Sequence, residues 1–319
     1  MPDSRFERQL EKYGPESPHE PCSLAAATDY CQHLTKSHYE NFTVASWLLP
    51  RELRPHFAHV YAYCRWSDDL ADEVGEDQRS LDLLAWWRGE LEACYQGKAW
   101  HPVFVALSET IREYQIPIDP FANLLIAFEQ DQRVKCYGSH QQLLSYCENS
   151  ANPVGHLVLY LGRSFRPETR ELSDSICTGL QLANFWQDVA RDYAIGRIYL
   201  PEEDRRKFGV TEEMIAAKSA SAEFRQLLQF EVERAENYLR SGRPLINMIA
   251  PQLRLDVELF LAGGLAICQA IRQQKFDVLQ SRPTVGKWKK LQLLLGCWTR
   301  RTFSRNAKMS VSAGQEATV

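Results

Sequence analysis

Two stretches of this chain carry acids where a helix would be expected to carry apolar residues. Residues 180–192 contain no glycine or proline and read as helix. Cys177, Gln181, Asn184, Asp188 and Asp192 fall three or four apart, so they share one helical face. That face begins apolar and ends in an amide and two carboxylates. Upstream, residues 51–72 repeat the pattern. Leu53, Phe57, Val60/Tyr61 and Cys64 make an apolar stripe whose next two positions are Asp68 and Asp72, with Asp69 and Glu73 beside them. Surface acids usually stand opposite the apolar stripe, not in line with it. One such pair is an ordinary solvated face; two, each continuing an inward stripe, point to a site.

Clustered inward carboxylates repel and lose hydration, so they need cations or protons between them. Hard oxygen ligands with no His or Cys among them suit magnesium, which takes a few carboxylates and completes its shell with phosphate oxygens. Facing each other across a cavity, the two stretches would hold magnesium around a diphosphate and help its C–O bond to ionise. The rest of such a cavity would be apolar and aromatic, to keep water from a carbocation and stabilise it with ring faces. Arg65, one turn before Asp68, and Arg197 with Tyr199, just past the second stretch, are placed to hold phosphate oxygens. A lone arginine would read as an ordinary ion pair; beside these acids, phosphate is the better reading.

The remainder of the chain sets the frame. Its 319 residues, 45% hydrophobic with net charge −4, suffice for one large core or two domains, and nothing in that charge suggests nucleic acid. Nine scattered cysteines with no CxxC spacing fit a reduced, cytoplasmic chain. No signal peptide and no apolar run of membrane-spanning length is seen. Gly14, Pro15, Pro18 and Pro21 suggest a loose arm over 1–23, and the polar residues 304–319 a disordered tail. Between them, helical periodicity runs through 24–36, 51–74, 80–96, 102–114, 120–131, 141–161 (broken at Pro153), 168–193, 211–217, 222–242, 244–248, 253–275 and 283–298. No alternating strands and no fixed repeat appear. The expectation is an all-α bundle in one domain, 24–303, with its site between facing helices.

The acidic stretches also carry a resemblance. Tyr61-Ala62-Tyr63-Cys64-Arg65-Trp66-Ser67-Asp68-Asp69-Leu70-Ala71-Asp72-Glu73 resembles the first motif of the squalene/phytoene synthase family. Gln181-Leu182-Ala183-Asn184 through Asp188 and Asp192, then Arg197-Ile198-Tyr199-Leu200-Pro201, resembles the second; the likeness extends over about residues 36–295. It implies an isoprenoid synthase helical bundle with a central cavity, magnesium, and prenyl diphosphates joined head to head. Carried over residue by residue, it implies Asp68, Asp69, Asp72, Asn184, Asp188 and Asp192 as metal ligands. Asp68, Asp72, Asp188, Asp192 and Tyr61 become catalytic residues. His38, Tyr39, Glu40, Asn41, Phe42, Arg65, Gln181, Gln187, Arg197 and Tyr199 become substrate-binding residues.

Within the family, His38–Phe42, Ser150–Gly155, Asn184–Val189 and Asp256–Phe260 with Gly263-Gly264 are most similar to the hydroxysqualene synthase branch. That branch takes presqualene diphosphate, expels diphosphate and lets water capture the cation. It needs no nicotinamide cofactor, and a downstream oxidoreductase would handle the alcohol. Three departures from the wider family stand out. Tyr39, Glu40 and Asn41 replace small serines, Gln187 replaces an arginine, and Gly264 replaces a tyrosine. They imply fewer cations for a second diphosphate and more polar groups to position a water, although Glu40 and Asn41 also read as helix caps. The basic end Lys287-Trp288-Lys289-Lys290, with Leu291, Leu294, Leu295 and Trp298, reads either as a peripheral contact with the inner membrane face or as a last bundle helix with solvated lysines, the preferred reading. Three rivals are weighed. They are a coupling enzyme of the same family, a di-iron bundle, whose Glu-x-x-His spacing occurs only at Glu16–His19 around Pro18, and a scaffold with no chemistry.

Overall fold

Fourteen helices make up the described part of the computed structural model, which covers residues 4–37, 49–75 and 77–286. In chain order they are α1 (Ser4–Tyr13), α2 (Leu24–Ser37), α3 (Arg54–Asp72), α4 (Asp77–Tyr95), α5 (Pro102–Tyr114), α6 (Asp119–Arg133) and α7 (His140–Ser150). They continue as α8 (Asn152–Leu161), α9 (Pro167–Ala194), α10 (Glu202–Lys207), α11 (Glu212–Ala216), α12 (Ala222–Ser241), α13 (Leu245–Met248) and α14 (Arg254–Gln273). Among the described residues there is no sheet, only one isolated parallel bridge between Cys136 and Ile198. Proline shapes several joints. Pro153 occupies the first turn of α8, where its missing N–H costs nothing, and the expected long helix divides at Ala151.

The two acid-bearing helices are braced from behind. Trp66 and Trp87 stack at 5.3 Å behind α3, and Trp87 lies 4.3 Å from Phe104. Their polar edges are satisfied: Trp87 Nε1 donates to Ser67 Oγ at 3.0 Å and Trp66 Nε1 to Tyr30 Oη at 2.9 Å. Tyr63 Oη donates to the Phe121 carbonyl at 2.8 Å. These buried rings fix the rotation of α3 about its axis. On the other side α9 lies along α12 and α14. Gly179 allows the approach, since a Cβ there would sit 2.8 Å from the Leu239 backbone nitrogen. α3 and α9 are not a closely packed pair; the gap between their acid-bearing ends is spanned at Asp72 by Arg197.

The expected loose arm is corrected. Residues 4–13 form α1, and Phe6 and Leu10 are buried, with Phe6 edge-on to Trp66 at 5.3 Å. Phe6, Leu10 and Tyr13 are a one-face stripe that the surrounding charges obscured. Helix α10 is a further element without an apolar stripe to mark it, because all six of its residues are charged. The 304–319 tail, the basic end from Lys287 and the segment His38–Phe42 lie outside the described residues. No helix among the described residues is long and apolar enough to cross a membrane.

One buried acid sets a pH dependence of folding. Glu231 on α12 is fully buried beside Asp204 and Arg234, and burial pushes its carboxyl up to about 8. A raised folded pKa gives stability that is complete below the unfolded value and is lost as pH rises through about 8. Glu231→Gln removes the titration, so thermal melts of the two chains should converge near pH 5. By pH 9 the variant should be the more stable; a constant gap across that range would refute the assignment.

Candidate active site

The acidic stripe of α3 is not its core face. His59, Ala62, Tyr63, Trp66, Ser67 and Leu70 are buried, whereas Phe57, Tyr61, Cys64 and Asp68 are half-buried and Asp72 is exposed. On α9, Cys177, Gln181, Asp188 and Asp192 are half-buried and Asn184 is exposed, while Leu182, Ala183, Phe185, Trp186 and Val189 are buried. Each stripe therefore runs from apolar positions, Phe57 and Cys64 among them, that pack against the core, to acids that keep some exposure. Its acids sit at the lip, where water, ions or a ligand can reach them.

Charge confirms that the two faces share one field. Arg197, held just beyond α9, lies 3.6 Å from Asp72 of α3. It reaches there because residues 197–203 run beside 135–138, with the Ile198 N–H donating to the Lys135 carbonyl at 2.8 Å and Glu202 N–H to the Tyr137 carbonyl at 2.9 Å. The sequence-predicted extended exit from α9 is thus an inter-segment pairing. Tyr199, on the same stretch, is buried and stacks on Phe185 at 3.8 Å. Arg65 lies 3.2 Å from Asp68 and pairs also with Asp69. Tyr61, one turn earlier, has its phenol pushed up chiefly by burial.

The acids are under strain from one another and from burial. Asp68 is pushed up to about 6 by its recessed surroundings and then by Asp72, while close to half its side chain stays accessible, as fits a lip. Asp192 rises to about 7, through burial and then Asp188. Asp69 also rises to about 7 through burial, against the pull of Arg65. Asp69 was expected among the metal ligands. The structure instead turns it inward, nearly inaccessible against Arg65, where it steadies that guanidinium.

Gln187 is likewise turned away from the gap. It is buried, and its amide is used by residues 282–283. Gln181 and Asn184 keep their places on the α9 face. Gly264 packs inward, and a Cβ there would meet Leu180 Cδ2 at 2.8 Å, so a larger residue would require the Leu180 side chain to move. His38, Tyr39, Glu40, Asn41 and Phe42 cannot be placed, lying outside the described residues.

Three residues in contact with this group escaped the sequence reading. Asp131, at the end of α6, accepts from Tyr146 Oη at 2.9 Å and is pushed up to about 6 by burial, opposed by Arg197. The signal was present, because Asp131 continues the stripe Phe121, Leu124/Leu125, Phe128 as Asp68 continues its own. Tyr146 belongs with Tyr137, Tyr199 and Phe185 in one aromatic wall. Arg282 forks onto Asp188, Nε to Oδ1 at 2.6 Å and Nη2 to Oδ2 at 2.7 Å. No local pattern marks Arg282; only the fold brings it 94 residues back along the chain. A separate recess of about 460 Å³ between α6, α7, α8 and the start of α9, lined by Asn152, His156 and Asp174 among others, holds none of the expected residues.

The donor set suits magnesium. Every candidate ligand facing the gap is a hard oxygen, and among the described residues no three acid, imidazole or thiolate groups converge into a cage of protein atoms alone. An ion that takes one or two carboxylates and fills its octahedron with phosphate oxygens and water needs no such cage.

Comparison with known proteins agrees with this geometry. The family pattern described as squalene/phytoene synthase matches residues 35–289. A solved structure entitled squalene synthase HpnC from Alicyclobacillus acidocaldarius is 42% identical, with a TM-score of 0.77, covering 81% of this chain and 98% of its own. A dehydrosqualene synthase structure is 26% identical, also at TM-score 0.77, covering 88% and 98%. A phytoene synthase of Arthrospira platensis is 28% identical over 292 residues, which is 86% of this chain and 94% of that one.

Repelling acids at one lip should be relieved by cations. Magnesium with inorganic diphosphate is expected to raise the melting temperature, and by more at pH 8 than at pH 5.5, because below about 6 to 7 protons compete for Asp68 and Asp192. A chelator should reverse the gain. An equal shift at both pH values would mean that these carboxylates do not take part.

Proposed function

The chain belongs to the squalene/phytoene synthase family, and within it we propose a hydroxysqualene synthase that converts presqualene diphosphate and water to hydroxysqualene and diphosphate. The observation that carries this reading is the pair of acid-bearing faces turned to one gap and linked by Arg197 to Asp72. Asp68 and Asp72 from α3, and Asn184, Asp188 and Asp192 from α9, would hold magnesium. Bound there, the metal would neutralise the charge that develops on the departing diphosphate.

The chain's own residues do the rest. Arg65, Arg197 and Arg282 offer guanidinium donors to phosphate oxygens from three directions. Asp69 keeps Arg65 extended. The half-buried Phe57, Tyr61 and Cys64 continue the α3 face away from the acids, toward the end where a hydrocarbon chain would lie. Tyr146 and Tyr199 are buried against each other and Phe185 near the acids, a packed aromatic backing that leaves little room for water. Capture by one held water falls, on sequence grounds, to Glu40 or Asn41 beside His38, Tyr39 and Phe42. No nicotinamide is required, and the alcohol would pass to an oxidoreductase.

Support for this branch comes from the Ser150–Gly155 and Asn184–Val189 stretches. The second reading is a head-to-head coupling enzyme that joins two prenyl diphosphates, and it is favoured by curated relatives such as the Arthrospira protein, which are phytoene synthases.

Product analysis separates the two. Purified chain with presqualene diphosphate and magnesium, without NADPH, should release hydroxysqualene, with its oxygen labelled from ¹⁸O-water. Squalene formed only with NADPH, or turnover only from two shorter diphosphates, would move the chain to the coupling branch. Asp72→Asn and Asp188→Asn should each keep the helical signal and lose about 10²-fold or more in turnover; normal turnover in both would overturn the site.

A further inference from the structure

The second acidic helix carries a buried amide that the reaction as proposed does not use. Gln187 is 5% exposed, one residue before Asp188, and on a different face of α9 from the acids. Both arms of its amide are spent on the chain beyond α14. Its Nε2 donates to the Pro283 carbonyl at 2.5 Å, and its Oε1 accepts from Arg282 Nη2 at 3.0 Å. The same guanidinium forks onto both oxygens of Asp188. Four hydrogen bonds thus join two adjacent residues of α9 to two adjacent residues of an irregular segment.

The segment needs such a clip. Residues 282–286 have no helical hydrogen bonds of their own, so their position depends on what they touch. A guanidinium that binds a carboxylate through two donors must lie in one plane and orientation. Gln187 fixes both, by anchoring the backbone at Pro283 and by taking an Nη2 hydrogen at Arg282. Among the described residues Arg191 is also near Asp188, but it is 3.6 Å away and largely exposed, and it does not make this fork. Asp192 lies within the field of Arg282 as well, so the clipped cation serves the whole second acid pair.

We infer that Gln187 is a positioning residue that acts through Arg282: its amide clips residues 282–283 to α9 and so fixes the guanidinium at the Asp188–Asp192 pair. Gln187 itself touches no substrate. The inference rests on the proposed reading of the gap as a diphosphate site.

If Gln187 works only through Arg282, removing Arg282 makes Gln187 irrelevant to ligand binding, and a double-mutant cycle reads that directly. The full chain is titrated calorimetrically with inorganic diphosphate in excess magnesium. Gln187→Met, which keeps the shape and loses both arms, should weaken binding about tenfold, and Arg282→Met about 10- to 100-fold. The double variant should bind within about threefold of Arg282→Met alone. Circular dichroism confirms folding, and Gln187→Leu replaces the methionine variant if that one fails to fold. A residue that merely stabilised the fold would lower the melting temperature of both backgrounds and leave the coupling near zero. Losses that multiply in the double variant, or unchanged binding in Gln187→Met, overturn the inference and leave the site reading intact. No binding of magnesium diphosphate by the unsubstituted chain would overturn the site reading, and the inference with it.

Discussion

Everything at this site follows from the cost of burying carboxylates on separate helices, to which neighbouring acids add repulsion. Asp68 and Asp72 come from α3, Asp131 from α6, Asp188 and Asp192 from α9. Partial burial removes the hydration that would let them ionise independently, and Asp68, Asp131 and Asp192 all have their carboxyls pushed up. Such a group holds together only with positive charge among its members. Arg65 supplies it locally, Arg197 from the chain leaving α9, and Arg282 from the far side of α14. The same need makes the place attractive to a divalent ion carrying phosphate.

The rest of the bundle can be understood as support for that arrangement. A gap lined by repelling groups gains nothing from packing across it, so each helix is stabilised from behind. The stacked Trp66 and Trp87, with His101 between further rings, hold α3. The close approach at Gly179 holds α9 against α12. Firm backs and an open front let the acids keep their spacing without touching one another, which is the preorganisation that a leaving diphosphate requires.

The departures from expectation have a common cause. Asp69 was grouped with Asp68 because the two are adjacent in sequence, yet one step along a helix is a rotation of about 100°, enough to move a carboxylate from the gap to the core. Gln187 beside Asp188 repeats the same geometry. Asp131 could have been found, since it continues an apolar stripe just as Asp68 does. Tyr146 and Arg282 could not, because what makes them part of the site is the neighbours they acquire when chain segments far apart meet.

The sequence by itself determined the helical class, the extent of most helices other than α1 and α10, though not the absence of helix over 283–286, and the two acidic stretches, because periodicity, proline and charge act over one or two turns. It also carried the family resemblance. Only the tertiary structure decided that α1 packs its Phe6 and Leu10 into the core and that residues 197–203 pair with 135–138 to bring Arg197 to Asp72. Only it decided, too, that Arg282 and Gln187 close on each other across 95 residues. Those outcomes depend on long-range packing and on charges finding partners in a medium of low dielectric, and no local pattern in the chain encodes a partner.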